Sequence, residues 1–271
     1  MLDQKIETVY LDEHIRVIHK PVNVSFHTDD QAQGIVGLVK DSYPGETLYP
    51  IHRLDKITSG LMVFARTSQV NQVLSKMLED KLIEKYYLAL SKHKPSKKQG
   101  AVKGDMKKGR RGNYLLLREK TNPALTHFFA KSFVQENQRY WLFALKPETG
   151  KTHQLRVAMK SLASPVLGDR RYEKVNEQTE EVNKEIIGEL IEGSKEGNKS
   201  FDGSNTTYPE RGYLHAYKMR FDLFGKRYEI FDPAFNGGCF DLKNHLNNTD
   251  IETLLKPEEL PWPKRAFKLS V

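Results

Sequence analysis

The sequence predicts an α+β fold, a mixed and largely antiparallel sheet flanked by helices and loops. Three observations predict it. Short runs rich in β-branched and aromatic residues recur along the chain, most of them divided by Gly, Pro, Asn or charged residues. Two stretches instead carry apolar residues at helical spacing. No repeat is visible, and 271 residues are enough to bury a substantial core in one large domain or two small ones.

Taken in order, residues 9–11 and 15–18 read as strands around an Asp12-Glu13-His14 turn, the second stopped by Pro21. Residues 61–65 (LMVFA) suit a buried strand. They lead into Val70, Val73, Leu74, Met77, Leu78 and Leu82, an amphipathic helical pattern with Ser68 as its expected N-cap. Strands are expected at 86–90, 114–118, 125–134 and 139–145, then a short helix from near Thr152 that buries Leu155, Ala158, Met159 and Leu162. Between 173 and 211 the texture changes to ten acids against five bases. Val182, Ile186, Leu190 and Ile191 predict a short acidic helix there, and the apolar-poor stretch 193–207 a mobile one. Strand-like sequence resumes at 213–221 and 227–231, so the expectation is a single domain over 1–271 with a mobile acidic insertion at 173–211.

Composition narrows the function classes. A single cysteine, Cys239, and the absence of any C-x-x-C pair exclude a disulfide scaffold and a structural zinc module, and point to a reducing cytoplasm. The N-terminus lacks the pattern of a secretion signal, and no apolar stretch is long enough to span a membrane, so no membrane partner is expected. The net charge of +8 is concentrated: residues 91–113 hold nine Lys or Arg and one acid, Asp105, with four glycines. A basic loop of this kind is either a solvated hairpin or a contact for nucleic-acid phosphates, and the density of charge favours the phosphates.

Two stretches are more polar than their surroundings require. The first, Ile51 to Gly60, sets Asp55 between Arg53 and Lys56 just ahead of the LMVFA strand. The second, Glu148 to Arg156, contains Gly150-Lys151-Thr152 at the start of a helix. A phosphate-loop reading fails because the first glycine of that motif would fall at position 145, which is leucine. His52, His153 and His215 lack metal-ligand spacing and read as structural; Ser59 sits in no G-x-S-x-G context.

Together these segments closely resemble the RluA-type family of RNA pseudouridine synthases. HRLDKITSGLMVFART resembles the family's catalytic motif, TGKTHQLRVAMKSLASPVLGDRRY its later basic motif and EKYYLAL its tyrosine motif. The two long motifs stand in order with the tyrosine segment between them, and YLDEHIRVIHKP, NPALTHF and LHAYKMRF match more weakly. The resemblance implies a pseudouridine synthase fold in one catalytic domain, without an S4 module ahead of it. It implies a cofactor-free isomerase acting on uridine in structured RNA, ribosomal or transfer, with no obligate protein partner. By position it makes Asp55 the catalytic aspartate, Tyr87 the active-site tyrosine and Arg156 the basic partner of the aspartate. Arg53 matches an arginine that takes the place of the displaced base. Ala158 and Ser164 stand where many relatives carry histidine, and the late strand lacks a following histidine-proline pair; these departures bear on substrate contacts.

The chemistry fits those roles. Isomerisation breaks C1′–N1, turns the uracil and rejoins it through C5; a carboxylate can attack the sugar, stabilise its positive charge or take a proton from C2′. A guanidinium at Arg156 would keep Asp55 ionised and oriented by planar two-point hydrogen bonding. Tyr87 offers a face to the base, and Arg53 a flat cation for the hole that a flipped nucleotide leaves. With no separate RNA-binding module expected, Lys107, Lys108, Arg110 and Arg111 of the basic loop are the candidate arm. Two other classes stay open at this level: an RNA-binding protein without turnover, and a glycosidase using Glu148 as a second carboxylate.

Overall fold

Eight successive uncharged residues, Thr58–Ala65, form a strand buried along its whole length, as a strand covered on both faces should be. In the computed structural model, which describes residues 6–28, 32–135, 137–173, 211–232 and 249–263, this strand is β4. It follows β1 (Thr8–Leu11), β2 (Ile15–Lys20), α1 (Ile35–Ser42) and β3 (Tyr49–Pro50), and leads into α2 (Ser68–Glu79) and β5 (Glu84–Ser91). Next come β6 (Gln99–Gly104), β7 (Met106–Lys108), a 3-10 turn at Arg110–Gly112, β8 (Tyr114–Leu116), β9 (Ala124–Gln135), β10 (Gln138–Pro147) and α3 (Gln154–Ser161). After residue 210 follow β11 (Leu214–Leu223), β12 (Lys226–Phe231) and α4 (Thr249–Leu255).

The main sheet runs β1-β2-β4-β11-β5-β10-β9-β6, with β12 beside β11 and β3 beside β4. Among the described residues every pairing is antiparallel except β4 with β11, which aligns Thr58, Ser59 and Gly60 with Leu214, His215 and Ala216. At Gly60 (φ 107°) a Cβ would stand 2.3 Å from the Ala216 carbonyl, so only glycine lets the two backbones close there. One face of the sheet is covered by α1 and α3, in a core that includes Ile18, Met62, Phe64, Phe143, Leu155 and Met159. On the other face α2 packs over Val63 and Ile15, and the C-terminal segment over Leu90 and Leu142.

The expected strands are present, most with longer bounds; the one expected at 114–118 ends at Leu116, the one expected from 213 begins at Leu214, and the helix expected near Thr152 begins at Gln154. Four details differ. Thr67, not Ser68, caps α2: its hydroxyl accepts the Val70 N–H at 3.2 Å. The helix stops at Glu79, and Lys81 turns left-handed (φ 60°), which leaves Leu82 48 % exposed. The basic stretch is not a loose loop: β6 extends the sheet edge along β9, and β7 pairs with β8 as a separate hairpin. Its glycines serve structured positions, such as Gly112 (φ 73°) in the tip. Helix α1 has no strong sequence signal, because eight residues containing Gly37 give little more than two turns of pattern; Ile35 and Val39 fix it against the core. The acidic helix expected at 182–191 and the stretch 193–207 lie outside the described residues.

Candidate active site

The turn ahead of β4 presents Asp55. It closes through the Thr58 N–H, which donates to the Asp55 carbonyl at 3.0 Å. His52 pins the same segment to β4, its Nε2 accepting the Val63 N–H at 3.2 Å. Burial, then the charge of Lys85, pushes this imidazole down to about 3, so it is a neutral acceptor. From β2, the fully buried Lys20 donates through Nζ to the carbonyls of Pro21 (2.8 Å), Val24 (2.8 Å) and Lys56 (3.4 Å). It therefore ties the end of β2 to the residue after Asp55. Burial pushes Lys20 down to about 7, against the pull of the Asp55 charge.

The opposite wall is the turn between β10 and α3, and Gln154 builds it. Its Oε1 accepts from the Thr149 hydroxyl (2.7 Å) and the Lys151 N–H (3.0 Å), while its Nε2 donates to the Leu125 carbonyl (3.0 Å) and Thr126 Oγ1 (2.9 Å). A buried amide satisfied on both ends fixes the turn in one conformation. His153 enters the helix in the left-handed region (φ 58°), a backbone cost that the surrounding bonds sustain. Its Nδ1 hydrogen-bonds with the Tyr172 hydroxyl at 2.9 Å. Burial, then the Arg156 charge, lowers its pKa and favours the neutral ring.

Between these walls lies a cleft of about 380 Å³, bordered by Arg53, Asp55, Tyr87, Lys151, His153 and Leu155 among others. That volume is in the range of small-molecule sites. Tyr87 rises from β5, packed in the core with Leu54 and Leu155; burial, then the Asp55 charge, raises its pKa well above that of a free phenol, so the hydroxyl keeps its proton. Arg53 is exposed at the rim, its guanidinium 5.8 Å from the Phe26 ring centre.

The structure changes the expected use of Arg156. Its two-point interaction goes to Asp169, Nε to Oδ2 and Nη2 to Oδ1, each at 2.7 Å, and both side chains are buried. Asp55 receives a single longer approach, Nη1 to Oδ2 at 3.5 Å. Arg156 does not border the cleft but stands behind Asp55. Burial opposes its charge, yet the Asp169 hydrogen bonds, with the charges of Asp169 and Asp55, outweigh it and raise its pKa. Asp169, Gln154 and Lys20 were not singled out from sequence. The Gly-Asp pair in VLGDRRY was the available signal for Asp169: Gly168 has φ 78°, and a Cβ there would stand 1.9 Å from the Arg211 carbonyl.

Each of the three histidines near the motifs has a hydrogen-bond partner: besides those of His52 and His153, His215 Nδ1 meets Ser59 Oγ at 3.0 Å on the far face of the sheet. In the hairpin, Lys107, Lys108 and Arg110 are exposed, Arg111 occupies the same turn, and the Tyr114 ring meets that of His153 edge-on at 5.3 Å. The basic hairpin thus adjoins the cleft wall. Among the described residues no helix is long and apolar enough to cross a membrane.

Comparison with known proteins agrees with this geometry. The family model described as RNA pseudouridylate synthase matches residues 14–161, which span both walls of the cleft. A protein of Haemophilus influenzae described as an uncharacterized RNA pseudouridine synthase is 41 % identical over 218 residues, covering 80 % of this chain and 83 % of its own. Ribosomal large subunit pseudouridine synthase D of Borreliella burgdorferi is 29 % identical over 219 residues, covering 76 % of this chain and 66 % of its own. Among solved structures, human RNA pseudouridylate synthase domain containing 1 superposes with a TM-score of 0.67 over 97 % of this chain and 99 % of that one; at 19 % identity it shows the shared pseudouridine synthase fold. The chain belongs to the RluA-type family of RNA pseudouridine synthases and is an isomerase of that class.

Proposed function

We propose that this protein converts specific uridines of structured RNA, ribosomal or transfer, to pseudouridine, with Asp55 as the group that acts at the sugar. The observation that carries the reading is that the Asp55 carboxylate, 19 % exposed, opens on the same cleft as Tyr87 while a buried arginine stands behind it. The C1′–N1 bond breaks, the uracil turns against Tyr87, and C1′ rejoins at C5; C5 loses a proton and N1 gains one. Atoms and electrons balance within the nucleotide, so the reaction needs no cofactor.

The target base is inaccessible within a stack and has to be flipped into the cleft. Arg53 at the rim fills the vacated place in the RNA, and Lys107, Lys108, Arg110 and Arg111 hold phosphates of the same structured element. The chain acts as one catalytic domain in the cytoplasm, where such RNA is found, with 173–211 as an insertion in it.

Asp55→Asn tests the central assignment, because the amide keeps the shape and loses the anionic oxygen. Pseudouridine formation on total RNA should fall below about one per cent of wild type, since loss of a nucleophile or general base costs ~10²-fold or more. RNA affinity should stay within a few-fold. Retained turnover would remove Asp55 from the role, and release of free uracil by the wild-type protein would replace isomerisation with glycosidic cleavage.

A further inference from the structure

We infer that Tyr172 is a positioning residue that couples RNA engagement by the basic hairpin to the arginine behind Asp55. Although Tyr172 is only 3 % exposed, its hydroxyl faces two elements at once. It accepts the backbone N–H of Tyr114, the first residue of β8, at 2.8 Å, and it hydrogen-bonds with His153 Nδ1 at 2.9 Å. Its ring carries the Arg156 guanidinium at 4.9 Å and the Lys160 ammonium at 5.5 Å from the ring centre. The hairpin, the cleft wall and the buried arginine therefore meet on one side chain.

The turn around Tyr172 strengthens the connection. Tyr172 N–H donates to the Asp169 carbonyl at 3.0 Å, and the Asp169 carboxylate, which clamps Arg156, also accepts the Arg171 N–H at 3.1 Å. Arg171 lies against the hairpin tip, where a Cβ on Gly112 would stand 2.9 Å from its Nη1. One four-residue turn thus supplies the carboxylate that grips Arg156, the aromatic face beneath it and the seat of the hairpin.

The hairpin needs such a seat. The β7–β8 pair forms its own two-stranded sheet, and a two-stranded hairpin alone is marginally stable in water. Its exposed cations Lys107 and Lys108 lie on β7, while β8 is the strand bonded to Tyr172. RNA held on β7 draws the hairpin into a fixed position, and the Tyr114–Tyr172 bond transmits that position to Arg156 and so to Asp55 at 3.5 Å. Misplacing a reacting group by about 1 Å can cost ~10²-fold in rate, so a small shift at this turn is enough to register in the chemistry.

This inference rests on the proposed RNA contact of the hairpin, and the experiment separates the two. Tyr172→Phe keeps the ring under Arg156 and removes only the hydroxyl. With RNA at saturation, its single-turnover rate should fall about tenfold while RNA affinity stays within about threefold, a split that a loss of folding would not produce. Tyr114→Pro cuts the same bond from the hairpin side; Asn113 (φ −74°, ψ 163°) already has the backbone that precedes proline, and Tyr114→Ala controls for loss of the ring. The proline variant should lose at least as much rate as Tyr172→Phe, and the alanine variant, which keeps the N–H, should lose clearly less; equal losses in the two would overturn the role of the bond.

The decisive measurement combines Tyr172→Phe with replacement of Lys107, Lys108, Arg110 and Arg111 by Gln. The Gln replacements should slow the single-turnover step several-fold in the wild-type background and leave it unchanged in the Phe background. Rate losses that multiply, or Gln replacements that weaken the salt dependence of binding without touching the rate, would overturn the coupling and leave the RNA contact standing. An unchanged salt dependence would remove the RNA contact itself, and the coupling with it.

Discussion

Replacing Asp169 by Asn isolates what the buried ion pair contributes, because the side chain keeps its size and one acceptor oxygen but loses its charge. In the native protein Arg156 and Asp169 share two hydrogen bonds of 2.7 Å, with both side chains at 5 % exposure or less. Removing one partner of such a pair costs about 3–5 kcal/mol, mostly because the remaining charge stays buried without full compensation. The Asn oxygen still accepts one hydrogen bond from the charged guanidinium and Asp55 remains 3.5 Å away, so a loss of about 3 kcal/mol is expected, at the low end of that range. For a domain of this size that lowers Tm by roughly 6–12 °C. Urea unfolding and calorimetry measure it, and single-turnover kinetics should show a rate loss of at least about tenfold as Arg156 shifts behind Asp55. The double variant Arg156→Met/Asp169→Leu, which replaces the pair by apolar groups, should regain most of the stability and none of the activity. A stability loss below about 1 kcal/mol for Asp169→Asn, or an active double variant, would refute the argument that Arg156 is held by Asp169 for the benefit of Asp55.

Two further outcomes follow from charge. Replacing Lys107, Lys108, Arg110 and Arg111 with Gln should make the slope of log affinity against log salt shallower by roughly two to four units, each lost phosphate contact contributing about 0.7–0.9; filter binding across a salt series measures it, and parallel slopes would return the hairpin to a solvated surface. Lys20 has a folded pKa near 7, below its ordinary 10.5, so between those values the unfolded chain binds the extra proton. Its contribution is complete above pH 10.5 and lost as the pH falls toward 7, and the wild type should therefore gain about 2 kcal/mol over Lys20→Met between pH 7 and 9, with pH-independent parallel stabilities as the contrary result.

Sequence carried the sheet and both cleft walls because their signals are local. The apolar run at 61–65, the helical spacing from Val70 to Leu82 and the polar segments on either side of the cleft are each read within about a dozen residues. Short α1 and the hairpin seat depend on what lies across the fold. No spacing rule indicates that the Tyr114 N–H ends on the hydroxyl of a tyrosine 58 positions later, or that Lys20 reaches the carbonyl of Lys56. In the basic stretch, glycines and lysines suggest a mobile loop when taken alone; pairing with β9 overrides that local preference along β6.

The partner of Arg156 is the most instructive case, since the motif suggests a guanidinium paired two-point with the aspartate. A carboxylate clamped in that way has both oxygens engaged and is poorly placed to act on a sugar. The geometry instead gives the Nε and Nη2 edge to Asp169 and turns Nη1 alone toward Asp55. Asp169 makes it tolerable to bury a full positive charge, and that charge then stands within 3.5 Å of Asp55 without closing over it. Two carboxylates around one arginine thereby divide the work: the buried one fixes the cation, and the other opens on the cleft, which is what the proposed role of Asp55 requires.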